Sequence, residues 1–192
     1  MNTKEKIQNV AIKMFSSKGY TETSMREISA ELNISKAALY YHFSNKEEIF
    51  VSIIENIFKE IIKFNKELAS QNIPTWEILK KWIEHTVNSS VKKDNIGQLI
   101  RQIMMGKFKN VSNNIDIFSF INVNFEILNS VMKKGIEEKE IRSDIDSKFL
   151  TISFLGLLHS VLGPMRNNTK NLTNKKISES LYKLIYDGMK KQ

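Results

Sequence analysis

Apolar residues recur three and four positions apart along almost all of this 192-residue chain, and nowhere alternate as a half-buried strand requires. That period predicts an all-α fold. Only Pro74 and Pro164 interrupt it as helix breakers. The first stripe is Ile7, Val10, Ala11, Met14 and Phe15, and Gly19 follows as a left-handed stop. Ser24 with Glu27 three residues on reads as a capping box opening a second helix, with Met25, Ile28 and Leu32 on its inner side. Asn33 falls where positive φ is needed, which Asn tolerates better than most residues. Ser35 caps a short third helix through His42, and Ser44 with Glu47 reads as the box opening a fourth, up to about Leu68.

The fourth helix carries two apolar rows, Ile49–Ile53–Ile57–Ile61 and Phe50–Ile54–Phe58–Ile62, so it is expected to lie between neighbours. Pro74 precedes a fifth helix with Trp76, Leu79, Trp82, Ile83 and Val87. A short sixth is expected near Asn95–Met105, and a seventh from Asn114 to Lys134 with Gly135 as its cap. The eighth starts at Asp144 or Asp146 and ends near Pro164, and the ninth carries Ile177, Leu181, Leu184, Ile185 and Met189. The division expected is a small N-terminal domain of short helices at 1–48 and a larger helical domain at 49–192.

Composition narrows the function. There is no cysteine, which excludes disulfides and thiolate metal sites and fits a reducing, cytoplasmic setting. Met1–Lys18 is charged and amphipathic, unlike a secretory leader. Phe149–Met165 lacks charge, but its length is marginal for a span and it holds Ser153, His159, Ser160 and Pro164. A buried or interface helix is expected there, and no membrane association. The net charge is +8, yet residues 1–50 hold 7 Lys/Arg against 6 Asp/Glu. Bulk charge therefore does not mark the N-terminus as a nucleic-acid binder. No Ser/His/Asp arrangement, phosphate-cradling glycine loop or paired carboxylates stand at useful spacing, and the three histidines are scattered. The chain is expected to be no enzyme and to bind no metal or cofactor.

Two short helices joined by a three-residue turn, after a longer one, form a helix-turn-helix. An ordinary helical hairpin is the alternative. It accommodates the third helix poorly, because Lys36, Ala37, Tyr40 and Tyr41 cannot all face a core.

The run from Thr23 to Ile49, above all Leu39-Tyr40-Tyr41-His42-Phe43 followed by Asn45-Lys46-Glu47, resembles the DNA-binding signature of the tetracycline-repressor (TetR) family. The likeness is strong over residues 5–50. Beyond them it rests on helix number and length and on Glu140-Ile141-Arg142-Ser143-Asp144. The chain departs from the family at Asn33 and Lys139, where Gly is usual, at Leu32, where a small residue is usual, and at Ala37, often Gly or Pro. The resemblance implies that Lys36, Ala37, Ala38 and Tyr41 face the major groove of duplex DNA, while Tyr40, His42, Lys46 and the Ser24 cap touch phosphates. Lys donates to guanine O6 or N7, and an alanine methyl packs on the thymine C5-methyl. His42 has an alternative role as a C-terminal cap of the third helix.

The resemblance further implies a homodimeric repressor on a near-palindromic operator, released by a small-molecule inducer. Its eighth and ninth helices would pair with their copies through Phe154, Leu157, Leu158, Val161, Leu181, Leu184 and Ile185. Trp82, His85, Met104, Phe118 and Phe125 are the candidate pocket walls, against the plainer reading of such residues as core. Trp82 is preferred to Trp76 because it shares a helix face with Ile78 and His85. With no inward acidic run, an apolar or amphipathic inducer is expected. A constitutive DNA-binding protein with a ligand-free helical domain remains the alternative, and a helical lipid-binding protein is a third reading.

Overall fold

The computed structural model describes residues 2–91, 95, 96, 99, 117–162 and 171–191, with side chains omitted at a few helix ends. Among them there are eight helices and no strand. They are α1 (Thr3–Ser17), α2 (Met25–Glu31), α3 (Lys36–His42), α4 (Lys46–Ala69), α5 (Thr75–Val91), α6 (Ile117–Glu137), α7 (Ser147–Leu162) and α8 (Asn174–Met189). The all-α expectation holds. The short helix expected near Asn95–Met105 lies largely outside the described residues, so α6, α7 and α8 are the expected seventh, eighth and ninth helices.

The chain packs as two units, Met1–Glu60 with Lys92–Ile117, and Ile61–Val91 with Phe118–Gln192. The boundary near Glu60 differs from a division at 48/49 because the first two turns of α4 belong to the first core. Ile49, Phe50, Ile53 and Ile54 are buried there with Ile7, Ala11 and Phe15 of α1, Ile28 of α2, and Leu39 and Phe43 at α3. Phe15, Tyr20 and Phe50 form a three-ring cluster with centroids 5.2–5.8 Å apart. Each such large side chain contributes about 1.5–3 kcal/mol by leaving water.

In the second unit α5 packs along α8, and α7 packs on both. Leu79, Trp82, Ile83, Leu128, Met132, Leu150, Phe154, Leu158, Leu181 and Ile185 fill its core. Trp82 is buried within this cluster at 3% exposure. The segment before α7 ties down the end of α8. Arg142 N–H donates to Met189 O at 2.9 Å and Arg142 Nη1 to Gly188 O at 3.2 Å, and Ile141 bridges to Lys190. No described helix is long and apolar enough to cross a membrane.

The helix ends follow local chemistry. Gly19 has φ +93°, and its N–H donates to Phe15 O, a one-bond left-handed stop. Asn33 has φ +53°, as its position required. With Asn33 N–H to Ala30 O and Ile34 N–H to Ser29 O it closes α2 in a Schellman motif. Two expected caps shift. The α4 cap is Asn45, not Ser44, because Asn45 O already accepts from Ile49 N–H and Asn45 Oδ1 accepts from Glu48 N–H at 2.8 Å. Glu48, not Glu47, reaches back to Ser44 N–H.

Gly135 does not end α6. The helix continues to Glu137 and closes at Lys139, φ +62°, with Glu140 N–H donating to Gly135 O and Lys139 N–H to Ile136 O. Gly135 answers a different need: a Cβ there would stand 2.7 Å from Ile141 Cδ1 and 2.8 Å from Thr75 Cγ2. Of the two acidic candidates before α7, Asp146 is the cap, accepting from Lys148 and Phe149 N–H. Asp144 instead pairs with Arg142.

Candidate nucleic-acid interface

The third helix is short, and its two sides are chemically opposite. Leu39, and Phe43 just beyond it, are fully buried and anchor α3 to the first core, while Lys36, Ala37, Ala38, Tyr40 and Tyr41 are exposed. Spacing one and four apart puts Lys36, Ala37, Tyr40 and Tyr41 on one outward surface. Tyr41 is 86% exposed, an extreme value for a large aromatic side chain. Ser35 Oγ accepts from Ala38 N–H at 3.0 Å and fixes the start of the helix. His42 is half-buried at the other end, its ring edge-to-face with Tyr41 at 5.2 Å.

The α2 scaffold is held at both ends. Ser24 Oγ accepts from Glu27 N–H at 3.2 Å, and Glu27 Oε2 accepts from Ser24 N–H at 2.9 Å, completing the expected capping box. Lys18 Nζ lies 3.0 Å from Glu27 Oε1, and Lys13 Nζ 3.2 Å from Glu31 Oε1, joining α1 to α2. The Lys18 hydrogen bond, then those from Ser24, hold the Glu27 carboxyl down at about 2. Ser24 is exposed, as a phosphate-facing cap must be.

Lys46 is placed differently from expectation. Its ammonium donates to Tyr20 O at 2.6 Å, Thr23 O at 2.7 Å and Thr21 O at 3.3 Å, and sits 4.3 Å over the Tyr20 ring. An ammonium has three N–H donors, and each of the three here has a loop carbonyl as partner.

The pocket candidates lie in the second unit. His85 stacks on Phe64, centroids 3.6 Å apart. Ile78 and Trp82 are buried and Phe125 is half-buried. Met104 and the Phe118 side chain lie outside the described residues. Trp76 belongs to the α5–α8 seam: its Nε1 donates to Glu140 O at 3.1 Å and its ring meets Tyr186 edge-on at 4.7 Å. The apolar spacing left unmarked a set of inward polar groups. Asn65 is buried and donates to Asn124 at 2.7 Å, and Asn129 and Thr151 are buried beside each other. The signal was there, since Asn65 stands between Phe64 and Leu68 on the inward side of α4.

The expected dimer face needs correction too. Phe154, Leu158, Leu181 and Ile185 are buried within the protomer, so they have no surface to offer a partner. Leu157 at 39% and Leu184 at 65% exposure do, and with them stand Phe149 at 62% and Ile152 at 59%. The Val161 side chain lies outside the described residues.

These features define the class: an all-α protein whose first unit is a helix-turn-helix with a solvent-facing second helix. Residues 7–53 match the family described as "Bacterial regulatory proteins, tetR family". A 61-residue stretch is 51% identical to the biofilm operon icaADBC HTH-type negative transcriptional regulator IcaR of Staphylococcus epidermidis, covering 32% of this chain and 33% of that protein. The match thus spans about a third of the relative's length. Among solved structures, the fatty acid degradation regulator FadR of Bacillus halodurans has a TM-score of 0.81 at 13% identity, covering 100% of this chain and 99% of that one. FadR of Bacillus subtilis in complex with stearoyl-CoA has a TM-score of 0.77 at 17% identity, covering 96% and 98%. At such identities the two structures show the fold.

Proposed function

We propose that this protein is a DNA-binding transcriptional repressor, acting as a homodimer on a near-palindromic operator and released by a small apolar or amphipathic ligand. The observation that carries this reading is the outward surface of α3, where Lys36, Ala37, Ala38, Tyr40 and Tyr41 stand clear of a core completed by Leu39 and Phe43. The likeness of the N-terminal stretch to a negative transcriptional regulator supports it. Lys36 and Tyr41 supply polar readout, Ala37 and Ala38 apolar contact with thymine methyls, and Tyr40, His42 and the Ser24 cap backbone contacts.

The dimer forms through the exposed apolar groups of α7 and α8, and carries two copies of α3 about 34 Å apart, one turn of DNA. Phe149, Ile152, Leu157 and Leu184 supply this face, since exposed large apolar side chains on two consecutive helices mark an interaction surface. A ligand held among α4, α5 and α6, beside Trp82, His85 and Phe125, biases α4, whose first turns belong to the reader's core. The buried Asn65–Asn124 pair offers it polar contacts.

The test is selection of duplexes from a random-sequence pool by the full chain, followed by binding titration of the recovered sequence against scrambled duplex. Recovery of a two-fold symmetric consensus, bound at least about 10³-fold more tightly than the scrambled control, is expected. Equal affinity for both sinks the reading. The constitutive alternative draws on the close packing of Ile78, Leu79, Trp82 and Ile83. It is favoured if no apolar ligand, long-chain acyl thioesters included, weakens operator binding.

A further inference from the structure

The loop from Gly19 to Ser24 joins α1 to α2 and sets where α2 begins. Three of its carbonyls, those of Tyr20, Thr21 and Thr23, converge on the Lys46 ammonium at 2.6, 3.3 and 2.7 Å. Convergence of three carbonyls of one loop on one cation is a demanding geometry, because carbonyl dipoles pointing together repel unless a charge holds them. Thr23, buried at the end of this loop, also donates through Oγ1 to Gly19 O at 2.8 Å, closing the loop on itself.

The peptide plane carries the consequence outward. Across a trans peptide the C=O and N–H point in opposite directions. Turning the carbonyls of Tyr20, Thr21 and Thr23 to Lys46 therefore turns the N–H groups of Thr21, Glu22 and Ser24 away from it. The Ser24 N–H is the one that donates to Glu27 Oε2 at 2.9 Å in the cap of α2. A single cation at the start of α4 thus fixes the loop, the cap and the direction in which α2 leaves. Burial pushes the Lys46 ammonium below its ordinary value, consistent with an amine drawn into the protein, against the opposing pull of the Glu22 and Glu27 charges.

We propose that Lys46 is a positioning residue for DNA binding, an internal staple that sets the α1–α2 loop and the start of α2, and that it makes no phosphate contact of its own. The inference rests on reading α3 as the DNA-facing helix.

Lysine acylation rates, mapped by peptide mass spectrometry on the full unmodified chain, test it without any variant. In the free protein Lys46 should react at least about tenfold more slowly than the exposed Lys36, since its three donors are already engaged. Adding a duplex recovered from a random pool should protect Lys36 and leave Lys46 unchanged. A free-state rate equal to that of Lys36, or new protection of Lys46 by the duplex, overturns the staple. If Lys36 is not protected, the DNA-facing role of α3 fails instead, and the staple is still judged by the free-state rate.

Substitution separates the same alternatives. A phosphate contact tolerates Lys46→Arg, because a guanidinium binds phosphate at least as well. A planar guanidinium does not present three N–H groups to converging carbonyls, so under the staple Lys46→Arg loses affinity nearly as much as Lys46→Ala, roughly tenfold. The log–log salt slope should then stay within about 0.3 of the native value, whereas loss of a phosphate contact lowers it by about 0.9. Full rescue by Arg, or a slope lowered by that amount in Lys46→Ala, overturns the proposal.

Discussion

Tyr41 is the side chain on which the reader helix is most directly tested. It is 86% exposed and its ring meets that of His42 edge-to-face, so Tyr41→Ala should leave the thermal midpoint unchanged. If the ring reaches base edges, operator affinity should fall by about 1–3 kcal/mol in an anisotropy titration. Glu27 gives a test in pH. Its carboxyl is held at about 2, below the ordinary 4.5, so its favourable pairing is fully present above 4.5 and is lost as pH falls toward 2. Glu27→Gln should therefore be less stable than the native chain at pH 7, the two converging by about pH 2 in urea melts at each pH. A gap that persists undiminished at low pH would mean that Glu27 acts through packing. At this scale the sequence was legible wherever a residue's role is local. Ser24, Ser35, Gly19 and Asn33 all do what their spacing announces, because caps and stops are decided within four residues. Lys46 was not legible in the same way, since its partners lie 23 to 26 positions away and nothing in its neighbourhood announces them.

At the scale of the helix, α6 shows where a local signal misleads. A glycine at the end of an apolar stripe reads as a stop, but Gly135 is a place of close approach and Lys139 takes the left-handed turn instead. Lys139→Gly should stabilise the chain by about 1 kcal/mol in denaturant unfolding, relief of left-handed strain outweighing the added freedom of the unfolded backbone. Gly135→Ala should destabilise it by about 1–3 kcal/mol, because Ile141 and Thr75 cannot both retreat from a packed core. Equal stability of the two variants would contradict this assignment. The α7 helix failed to declare its faces for another reason: it is apolar all round, so periodicity could not separate core from surface. Buried Leu158 and half-exposed Leu157 are adjacent in sequence and opposite in consequence. Leu157→Glu should yield a folded protein shifted to monomer in sedimentation, whereas Leu158→Glu should lose the fold itself, as an unpaired charge in a core costs several kcal/mol. A Leu157→Glu chain that stays fully dimeric would remove this face from the interface.

For the molecule as a whole, the all-α class was legible because one period runs through nearly the entire chain, and the reader because its motif is compact. The second unit was legible only as helices. Its inward polar pairs, Asn65 with Asn124 and Asn129 beside Thr151, join residues 59 and 22 positions apart, and no spacing rule connects them. The two tryptophans can report on this unit separately. An inducer that releases DNA should change emission through Trp82, which lies near the candidate pocket side chains, and Trp82→Phe should abolish most of that change. Trp76, held by Glu140 and Tyr186 in the α5–α8 seam, should leave the response intact when replaced by Phe. A response carried wholly by Trp76 would move the ligand to the seam. The missing Cβ at Gly135 has a last consequence, for the history of the sequence. Positions 135, 141 and 75 occupy one small volume, so each restricts what the others can become. Among diverging relatives, a side chain larger than hydrogen at 135 should be found only together with a smaller residue at 141 or 75. Drift at this spot would then proceed by paired replacements, and a chimera joining the front half of one such lineage to the back half of another should fold poorly although both parents fold well.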